Sequence, residues 1–211
     1  ETFAVDQLPI PQKNPWNSPI KVSGFDYFPD GESAAFCTWN GDVWIASGIN
    51  GNLEKVVWKR YAAGLNEALG LHIVDGFIYV TGKDQITRLH DLNHSGEADY
   101  YENFNNDIKI TKNFHEFTFD LQTDSKGDFY MAKAAPVRNG GRGFEETHDN
   151  HGVVFKISKD GRESEVFASG LRAPGGLSVN PEGTIVTTGE NEGTYVPACK
   201  INYFKKGSFG G

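Results

Sequence analysis

The feature that most constrains this chain is a recurring order of short strand patterns. The first unit reads "GFDYFPDGESAAFCT", then "GDVWIASGI", then "EKVVWKRYAAG", and three later units repeat the order of strand, turn with Asp or Pro before Gly, and further strands. Subtracting the numbers of the turn glycines gives spacings of 45, 51 and 56 residues; they are Gly31, Gly76, Gly127 and Gly183. Such periods, built from several short strands each, indicate the blades of a β-propeller.

We therefore predict an all-β fold, a β-propeller of which this chain supplies roughly four blades. The blades are expected to begin near residues 24, 69, 116 and 175. Residues 1–23 form an extended lead-in, and residues 24–211 form the partial propeller. Two alternatives stay open: a piece of a larger propeller, or a small four-bladed closure. An insertion at residues 136–152 interrupts the third unit, and a long irregular loop on a rigid scaffold is where function tends to lie.

Composition excludes some partners. The 211 residues are enough for one sizeable core, and the net charge of −8 argues against a nucleic-acid partner and against electrostatic attachment to a membrane. No apolar run approaches the roughly 20 residues that a membrane-spanning helix needs. Cys37 and Cys199 are the only cysteines, and both two thiols and one disulfide remain open.

The stretch "DLNHSGEADYYE", residues 91–102, has the oxygen spacing of a twelve-residue calcium loop, with Gly96 at the sixth position. The candidate ligands are Asp91, Asn93, Ser95, Glu97, Asp99 and Glu102. The flanking sequence predicts strands rather than helices. The competing interpretation is a polar hairpin loop in which Asp91 and Asn93 bond to their own backbone.

The insertion is rich in glycine, charge and histidine: "GRGFEETHDNHG". His148 and His151, with nearby carboxylates, form a weak transition-metal pattern, since a third fixed ligand is missing. We prefer to interpret the loop as a rim over the central cavity, where Arg142 or His148 could reach a sugar or an anionic ligand. A lyase or hydrolase built on this loop is a third, weaker option.

Two stretches go beyond a generic propeller: "NFHEFTFDLQTDSKGDFYMAKAA", residues 113–135, and "ASGLRAPGGLSVNPEGTIVTTGENEGTYVPACKINYF", residues 168–204. They resemble the six-bladed propeller dehydrogenases of the soluble glucose/sorbosone type, which use pyrroloquinoline quinone (PQQ). Nearly the whole chain is similar to the secreted "membrane-bound dehydrogenase" propellers of Planctomycetes, Verrucomicrobia and Bacteroidetes. Those proteins are often large and carry a c-type haem domain. Because the dehydrogenases that the chain resembles have six blades, the resemblance implies that the whole protein is a six-bladed propeller.

The resemblance implies roles for individual residues. His115 matches the histidine that takes the proton from the sugar hydroxyl, a role that needs a base with a pKa near the working pH. Arg172, in "GLRAPGG", matches the arginine that contacts the quinone and can stabilise negative charge on it. Ala173 departs from the pattern, because those enzymes have Asn there, and this puts the cofactor contact in doubt.

The "ENEGT" segment sits where those enzymes hold calcium and the quinone, so the resemblance implies further cofactor-binding residues. They are Glu190, Asn191, Glu192, Gly193 and Thr194. A substrate rim would include Arg142, His148, His151 and Tyr195. For each of these positions a plain structural role remains the alternative.

These features together predict an extracytoplasmic PQQ- and Ca²⁺-dependent dehydrogenase acting on a carbohydrate or another small alcohol or aldehyde. It would lie in the periplasm, at the outer membrane or outside the cell, and would pass electrons to a c-type cytochrome domain or partner. The alternative is a non-catalytic propeller module that binds a glycan or a protein within a larger secreted or outer-membrane assembly.

Overall fold

The computed structural model describes residues 3, 5–138, 148–191 and 199–211, and sixteen strands form four sheets within them. Blade 1 contains β1 (Val22–Tyr27), β2 (Ser33–Thr38), β3 (Val43–Ser47) and β4 (Val57–Ala62). Blade 2 contains β5 (Gly70–Val74), β6 (Phe77–Thr81), β7 (Ile86–His90) and β8 (Tyr100–Asn105). Blade 3 contains β9 (Thr118–Thr123), β10 (Phe129–Lys133), β11 (Val153–Ile157) and β12 (Ser164–Ser169). Blade 4 contains β13 (Pro174–Val179), β14 (Val186–Asn191) and β15 (Cys199–Phe204).

Consecutive strands of each blade pair antiparallel, as a propeller requires. The last strand, β16 (Ser208–Phe209), is the exception, since it runs parallel to β12 and adds a fifth strand to the outer edge of blade 3. One turn of 3-10 helix, Leu53–Lys55, is the single helical element in the part of the chain that the structure describes. The predicted all-β propeller with about four blades is confirmed.

The blades stack through their first strands, with β1 against β5, β5 against β9, and β9 against β13. Aspartates tie neighbouring blades together: Asp26 accepts a hydrogen bond from the Ile73 N–H at 2.9 Å, and Asp120 accepts one from the Leu177 N–H at 3.0 Å. A cavity of about 630 Å³ runs along this axis, lined by residues from the inner edge of all four blades. The first strands therefore surround a central channel.

The core lies between the blades and is apolar on both faces of the central strands. Every side chain of β10 is buried, and Phe129 and Met131 pack into one cluster with Phe155, while Tyr130 and Ala132 pack into another on the opposite face. Burying each large apolar side chain contributes about 1.5–3 kcal/mol. The two-sided apolar pattern follows from the radial stacking, because each sheet has a neighbour on either side.

The turn glycines of the repeat adopt the left-handed conformation that tight turns require. Gly183 is the most constrained, with φ of 65° and its N–H donating to the Asn180 carbonyl at 2.9 Å. A Cβ at this position would lie 2.2 Å from Asp124 Oδ2 and 2.6 Å from the Tyr130 hydroxyl. Glycine here serves both the turn and the contact between blade 4 and blade 3.

The lead-in packs against the outer face of blade 1. Trp16 meets Trp44 edge to face at 5.7 Å between ring centroids, and the Arg60 guanidinium lies 3.8 Å from the Trp16 ring centre. The Trp58 indole N–H donates to the Pro9 carbonyl at 2.8 Å. Among the described residues, no helix is long and apolar enough to span a membrane.

Because the strands alternate in direction, every connection belongs to one of two ends of the blades. The end where the first strands begin carries the described residues 63–69, 106–117, 134–138, 148–152 and 170–173, and we call it the site face. The other end, the opposite face, carries the acidic stretch at 91–99. The candidate histidines His115, His148 and His151 thus share one face with Arg172, and the candidate calcium loop lies on the other.

Candidate functional site

Arg172 and Glu190 meet where blade 4 begins. Pro174 and Glu190 face each other across β13 and β14, and this register brings the Glu190 carboxylate under the turn at Arg172. That carboxylate accepts hydrogen bonds from the Arg172 backbone N–H and, at 2.8 Å, from Asn202 Nδ2. The Arg172 guanidinium donates through Nη1 to the Asn191 carbonyl at 3.1 Å. The arginine is therefore held by the end of β14.

A cavity of about 620 Å³ opens beside this pair on the site face, between blades 3 and 4. Its charged or protonatable lining comes from His151, Arg172, Glu190 and Lys200. The Lys200 ammonium lies 3.7 Å from Glu190 Oε2. The two cations, Arg172 and Lys200, outnumber the one carboxylate, Glu190, so the cavity suits an anionic ligand of ordinary small-molecule size.

His151 contacts the Glu116 carboxylate in the interior. Its Nε2 lies 3.2 Å from Glu116 Oε2 and 3.1 Å from the Lys109 carbonyl, and neither side chain is exposed. Burial lowers the pKa of His151, although the Glu116 carboxylate opposes that shift. Nδ1 accepts the His148 backbone N–H at 3.2 Å, which fits a neutral imidazole with its proton on Nε2. The pair fastens the end of the insertion to blade 3.

Glu116 is the centre of this network. Its carboxylate also accepts the Thr111 backbone N–H and, at 2.9 Å, the Thr111 hydroxyl. Its carbonyl accepts a hydrogen bond from Lys133 Nζ at 2.9 Å, and the same ammonium donates to the Lys83 carbonyl at 3.2 Å. Burial lowers the pKa of Lys133 to about 8. Charged or protonatable groups from three segments of the chain thus lie buried beneath the loops of the site face.

His115 precedes Glu116 and faces a different environment. Its backbone N–H donates to Asn113 Oδ1 at 2.8 Å, and its ring lies 5.3 Å from the rings of Phe114 and Phe117. Phe117 in turn lies 5.1 Å from Trp39 of blade 1. His115 Nδ1 is buried and has no hydrogen-bond partner among the described residues. His115 is not among the described residues that line the cavity at Arg172.

The structure thus brings three of the predicted residues, Arg172, Glu190 and His151, to one cavity. His148 is exposed beside His151, with 5.9 Å between ring centroids. Asn191 accepts a hydrogen bond from Arg172 through its carbonyl, and His115 lies apart from this cavity. The other predicted cofactor and rim residues lie outside the described residues: Arg142, Glu192, Gly193, Thr194 and Tyr195.

Sequence reasoning missed three charged residues of the site face, Glu116, Lys133 and Lys200. The first two carried a usable signal. Glu116 stands among aromatics in "NFHEFTF", and Lys133 ends the buried strand "FYMAK". A charge inside an apolar pattern is rarely buried without a partner. Lys200 gave no signal, because its role depends on the register between β14 and β15.

The acidic stretch on the opposite face is a compact loop between β7 and β8. Asp91 accepts the N–H groups of Ser95 and Gly96 at 2.9 and 2.7 Å, and Asn93 Oδ1 accepts the same Ser95 N–H at 2.9 Å. Asp99 accepts the N–H groups that precede them, from Leu92 and Asn93. These are the bonds that the hairpin interpretation predicts.

Two further contacts bear on the calcium interpretation. The Lys59 ammonium donates to the Ser95 carbonyl at 2.8 Å, so a cation of the protein already lies against the loop. Glu102 lies in β8 and accepts from Arg88 Nε and His90 Nε2, each at 2.7 Å. Within the described residues, no group of three or more His, Cys, Asp or Glu side chains is placed to hold a metal ion. Calcium binding here stays a prediction from the sequence.

The cysteines are both free: Cys37 is buried in the core and Cys199 is exposed. Of the two alternatives, two thiols or one disulfide, the structure therefore has two thiols.

Comparison with known proteins shows the fold. No protein-family profile and no curated protein matches the sequence. Solved structures do match: the soluble aldose sugar dehydrogenase of Escherichia coli in its apo form has 14% identity and a TM-score of 0.65, with 90% of this chain and 62% of that chain covered. A carbohydrate-active enzyme of family AA12 from Trichoderma reesei has 14% identity, a TM-score of 0.65, and coverage of 88% and 52%.

The holo PQQ domain of pyranose dehydrogenase from Coprinopsis cinerea has 10% identity and a TM-score of 0.62, with coverage of 87% of this chain and 48% of that one. The chain thus spans about half to three fifths of the length of these structures. Its fold is that of sugar-dehydrogenase-like propellers, as the sequence resemblance implied.

Proposed function

We propose that this chain is part of an extracytoplasmic sugar dehydrogenase that uses a quinone cofactor of the PQQ type. The observation that carries the proposal is the cavity of about 620 Å³ in which Arg172 and Lys200 stand beside Glu190 and His151. The fold shared with sugar dehydrogenase propellers supports it. A cytochrome domain or partner as electron acceptor, and a periplasmic, outer-membrane or secreted location, belong to the same proposal.

The described residues fit the quinone. PQQ carries several carboxylates, and a guanidinium and an ammonium in one cavity can pair with them. They do not fit a calcium ion held by carboxylates, because the Glu190 oxygens already accept from Arg172 N–H and Asn202 Nδ2.

When bound, the quinone supplies an acceptor for the hydride of the substrate carbon. The chain's own contribution is a base and a fixed positive charge. The resemblance implies His115 as the base, although His115 is not among the described residues that line the cavity at Arg172. Nδ1 is buried, so Nε2 is the atom left to take the hydroxyl proton. Arg172, fixed by its bond to the Asn191 carbonyl, stabilises negative charge that develops in the cavity.

A PQQ titration of the intact, unmutated protein, which we call the parent protein, tests the proposal with and without Ca²⁺. We expect saturable binding by absorbance and a higher melting temperature. Arg172→Met should weaken affinity by about 10-fold or more, because a charge-assisted pair contributes about 1.5–3 kcal/mol. The matched control Arg88→Met removes an arginine of blade 2 that pairs with Glu102 away from the cavity.

The variant His115→Asn distinguishes PQQ binding from sugar oxidation. It should bind PQQ as tightly as the parent protein and lose sugar-dependent reduction of an artificial electron acceptor. Absence of saturable PQQ binding by the parent protein, or equal affinity in Arg172→Met, would refute the quinone assignment.

A non-catalytic glycan-binding module is the second candidate, and one observation favours it. Phe25, Phe36 and Trp58 form a continuous aromatic row on the outer face of blade 1, with 5.8 Å and 5.0 Å between successive ring centroids, and Phe25 is 53% exposed. Sugar rings stack on such surfaces. Glycan-array binding that is lost in Phe25→Ala and does not need PQQ would favour this function.

A further inference from the structure

Three polar side chains from three different blades form a hydrogen-bonded series near the central axis. Asp26 of β1 contacts His72 of β5, with 2.7 Å between Oδ2 and Nδ1. His72 in turn contacts Thr123 of β9, with 3.0 Å between Nε2 and Oγ1. Asp26 and Thr123 lie at or next to the last position of their strands, and His72 is the middle residue of β5. None of them belongs to the cavity at Arg172.

The order of these contacts fixes the proton positions. Burial raises the pKa of Asp26, but hydrogen bonds from His72 and from the Ile73 N–H outweigh it, so the pKa lies below its ordinary value. An ionised Asp26 only accepts, and Nδ1 of His72 must therefore carry the proton. In the neutral imidazole, Nε2 then keeps its lone pair and can accept the hydroxyl proton of Thr123. The hydroxyl thus faces a base that a carboxylate orients, the arrangement that activates an oxygen nucleophile.

The series is accessible to small molecules. The side chains of His72 and Asp26 are 22% and 27% exposed, and Thr123 is half-buried. None of the three residues is among those that line the axial cavity of about 630 Å³. A ligand of a few atoms therefore reaches the hydroxyl through the partly exposed side of the series itself.

We propose that Thr123, His72 and Asp26 form a second reactive centre, a hydroxyl nucleophile that accepts acyl groups from small carboxylic esters. The Thr123 oxygen bonds to the ester carbonyl carbon while its proton passes to His72 Nε2. The bond to the leaving alcohol breaks, and that alcohol takes the proton from Nε2. Water then attacks the acyl-threonine, and His72 accepts and returns a proton. A carboxylic acid leaves and the hydroxyl is restored.

Hydrolysis of 4-nitrophenyl acetate and labelling with a fluorophosphonate, mapped by mass spectrometry, test the centre. We expect nitrophenolate release about 10-fold or more above buffer and a single adduct on Thr123. Thr123→Val keeps the shape and removes the hydroxyl, so both signals should disappear, and His72→Asn should do the same. Thr123→Ser should retain them.

Two control variants separate chemistry from packing. Asp120→Asn weakens a similar bond between blades 3 and 4, and His90→Asn breaks another imidazole–carboxylate pair, with Glu102. Both should keep the esterase rate whatever they do to the melting temperature. A parent protein no faster than buffer, an adduct on another residue, or full activity in Thr123→Val would overturn the proposal. If Thr123→Val does not fold, the proposal is still tested by the position of the adduct on the parent protein and by the esterase rate of Thr123→Ser.

Discussion

Lys133 places an ammonium group at the end of a strand whose side chains are all buried. Water is replaced there by two carbonyls, those of Glu116 and Lys83, and by the nearby Glu116 carboxylate. These partners do not fully compensate the lost hydration, which is why burial lowers the pKa to about 8. The charge joins blade 2 to blade 3 beneath the site face, and it does so at a cost in stability while it remains protonated.

That cost predicts a specific pH dependence. The ordinary pKa is 10.5 and the folded value is about 8, so between these limits the unfolded chain binds a proton that the folded chain does not. The stability of the parent protein should therefore rise with pH relative to Lys133→Met, by on the order of 3 kcal/mol in total. Below pH 8 both states are protonated and the cost is fully present. Urea unfolding of both proteins from pH 7 to 10 measures the difference.

The matched control for this experiment is Lys159→Met, which removes an exposed lysine. Its stability should follow that of the parent protein across the same pH range. Cys37 and Tyr130 are common to all variants and cancel in the comparison. A constant difference between the parent protein and Lys133→Met would contradict the assignment of a depressed Lys133 pKa.

Single residues of the site were predictable only where a motif marked them. Arg172 and Glu190 stand in quoted motifs, and the structure does bring them together. Glu116 and Lys133 act through contacts that depend on how blades 2 and 3 pack, and no local pattern encodes that packing. His115 was predictable as a candidate base, but its surroundings of Phe114 and Phe117 were not.

At the scale of elements, the backbones of blades 2 and 3 approach closely at Gly70, the first residue of β5. A Cβ there would lie 2.4 Å from the Asp120 carbonyl carbon in β9. Both atoms belong to backbone, so the strands would have to move apart. Gly70→Ala should therefore destabilise the fold by about 2 kcal/mol, or about 4–8 °C in melting temperature for a chain of this size.

Gly175, in the first strand of blade 4, provides the control for this prediction. A Cβ there meets no atom within 4 Å, and Gly175→Ala should leave the melting temperature nearly unchanged. Thermal unfolding followed by circular dichroism compares the two variants. Equal melting temperatures for Gly70→Ala and the parent protein would show that β5 and β9 are not so closely packed.

Element type was the most predictable level. Short continuous apolar runs such as "FIYVT" and "VWIAS" became β6 and β3 because each fits a sheet buried on both sides. The parallel pairing of β16 with β12 was not predictable. "KKGSFGG" contains little side-chain information, and its pairing depends on where the outer edge of blade 3 lies in space.

At the scale of the whole molecule, the repeated pattern of strands and glycine turns determines the propeller fold. Four glycine turns at a regular spacing imply four equivalent units, and equivalent units that bury both faces must stack side by side. The same stacking decides which loops share a face, and this explains why residues as distant as Thr111 and His151 bond to one carboxylate. The sequence alone predicts that loops converge, but the side chains that touch depend on blade-to-blade distances.

The alkylation rates of the two cysteines measure how tightly the blades pack against each other. Cys199 is exposed, whereas Cys37 lies at 0% exposure in the cluster that joins blades 1 and 2, and burial raises its pKa to about 11. Alkylation needs a solvated thiolate, so Cys37 can react only when these blades separate. With a stability of about 5 kcal/mol or more, its rate should be on the order of 10³-fold or more below that of Cys199.

Iodoacetamide labelling at pH 8, quantified by mass spectrometry over a urea series, makes the comparison. The Cys37 rate should rise with urea in step with global unfolding, while the Cys199 rate changes little. In Cys199→Ser only the slow reaction should remain. Rapid labelling of Cys37 without urea would instead mean that blade 1 detaches from blade 2 before the rest unfolds, and the four blades would not then behave as one cooperative unit.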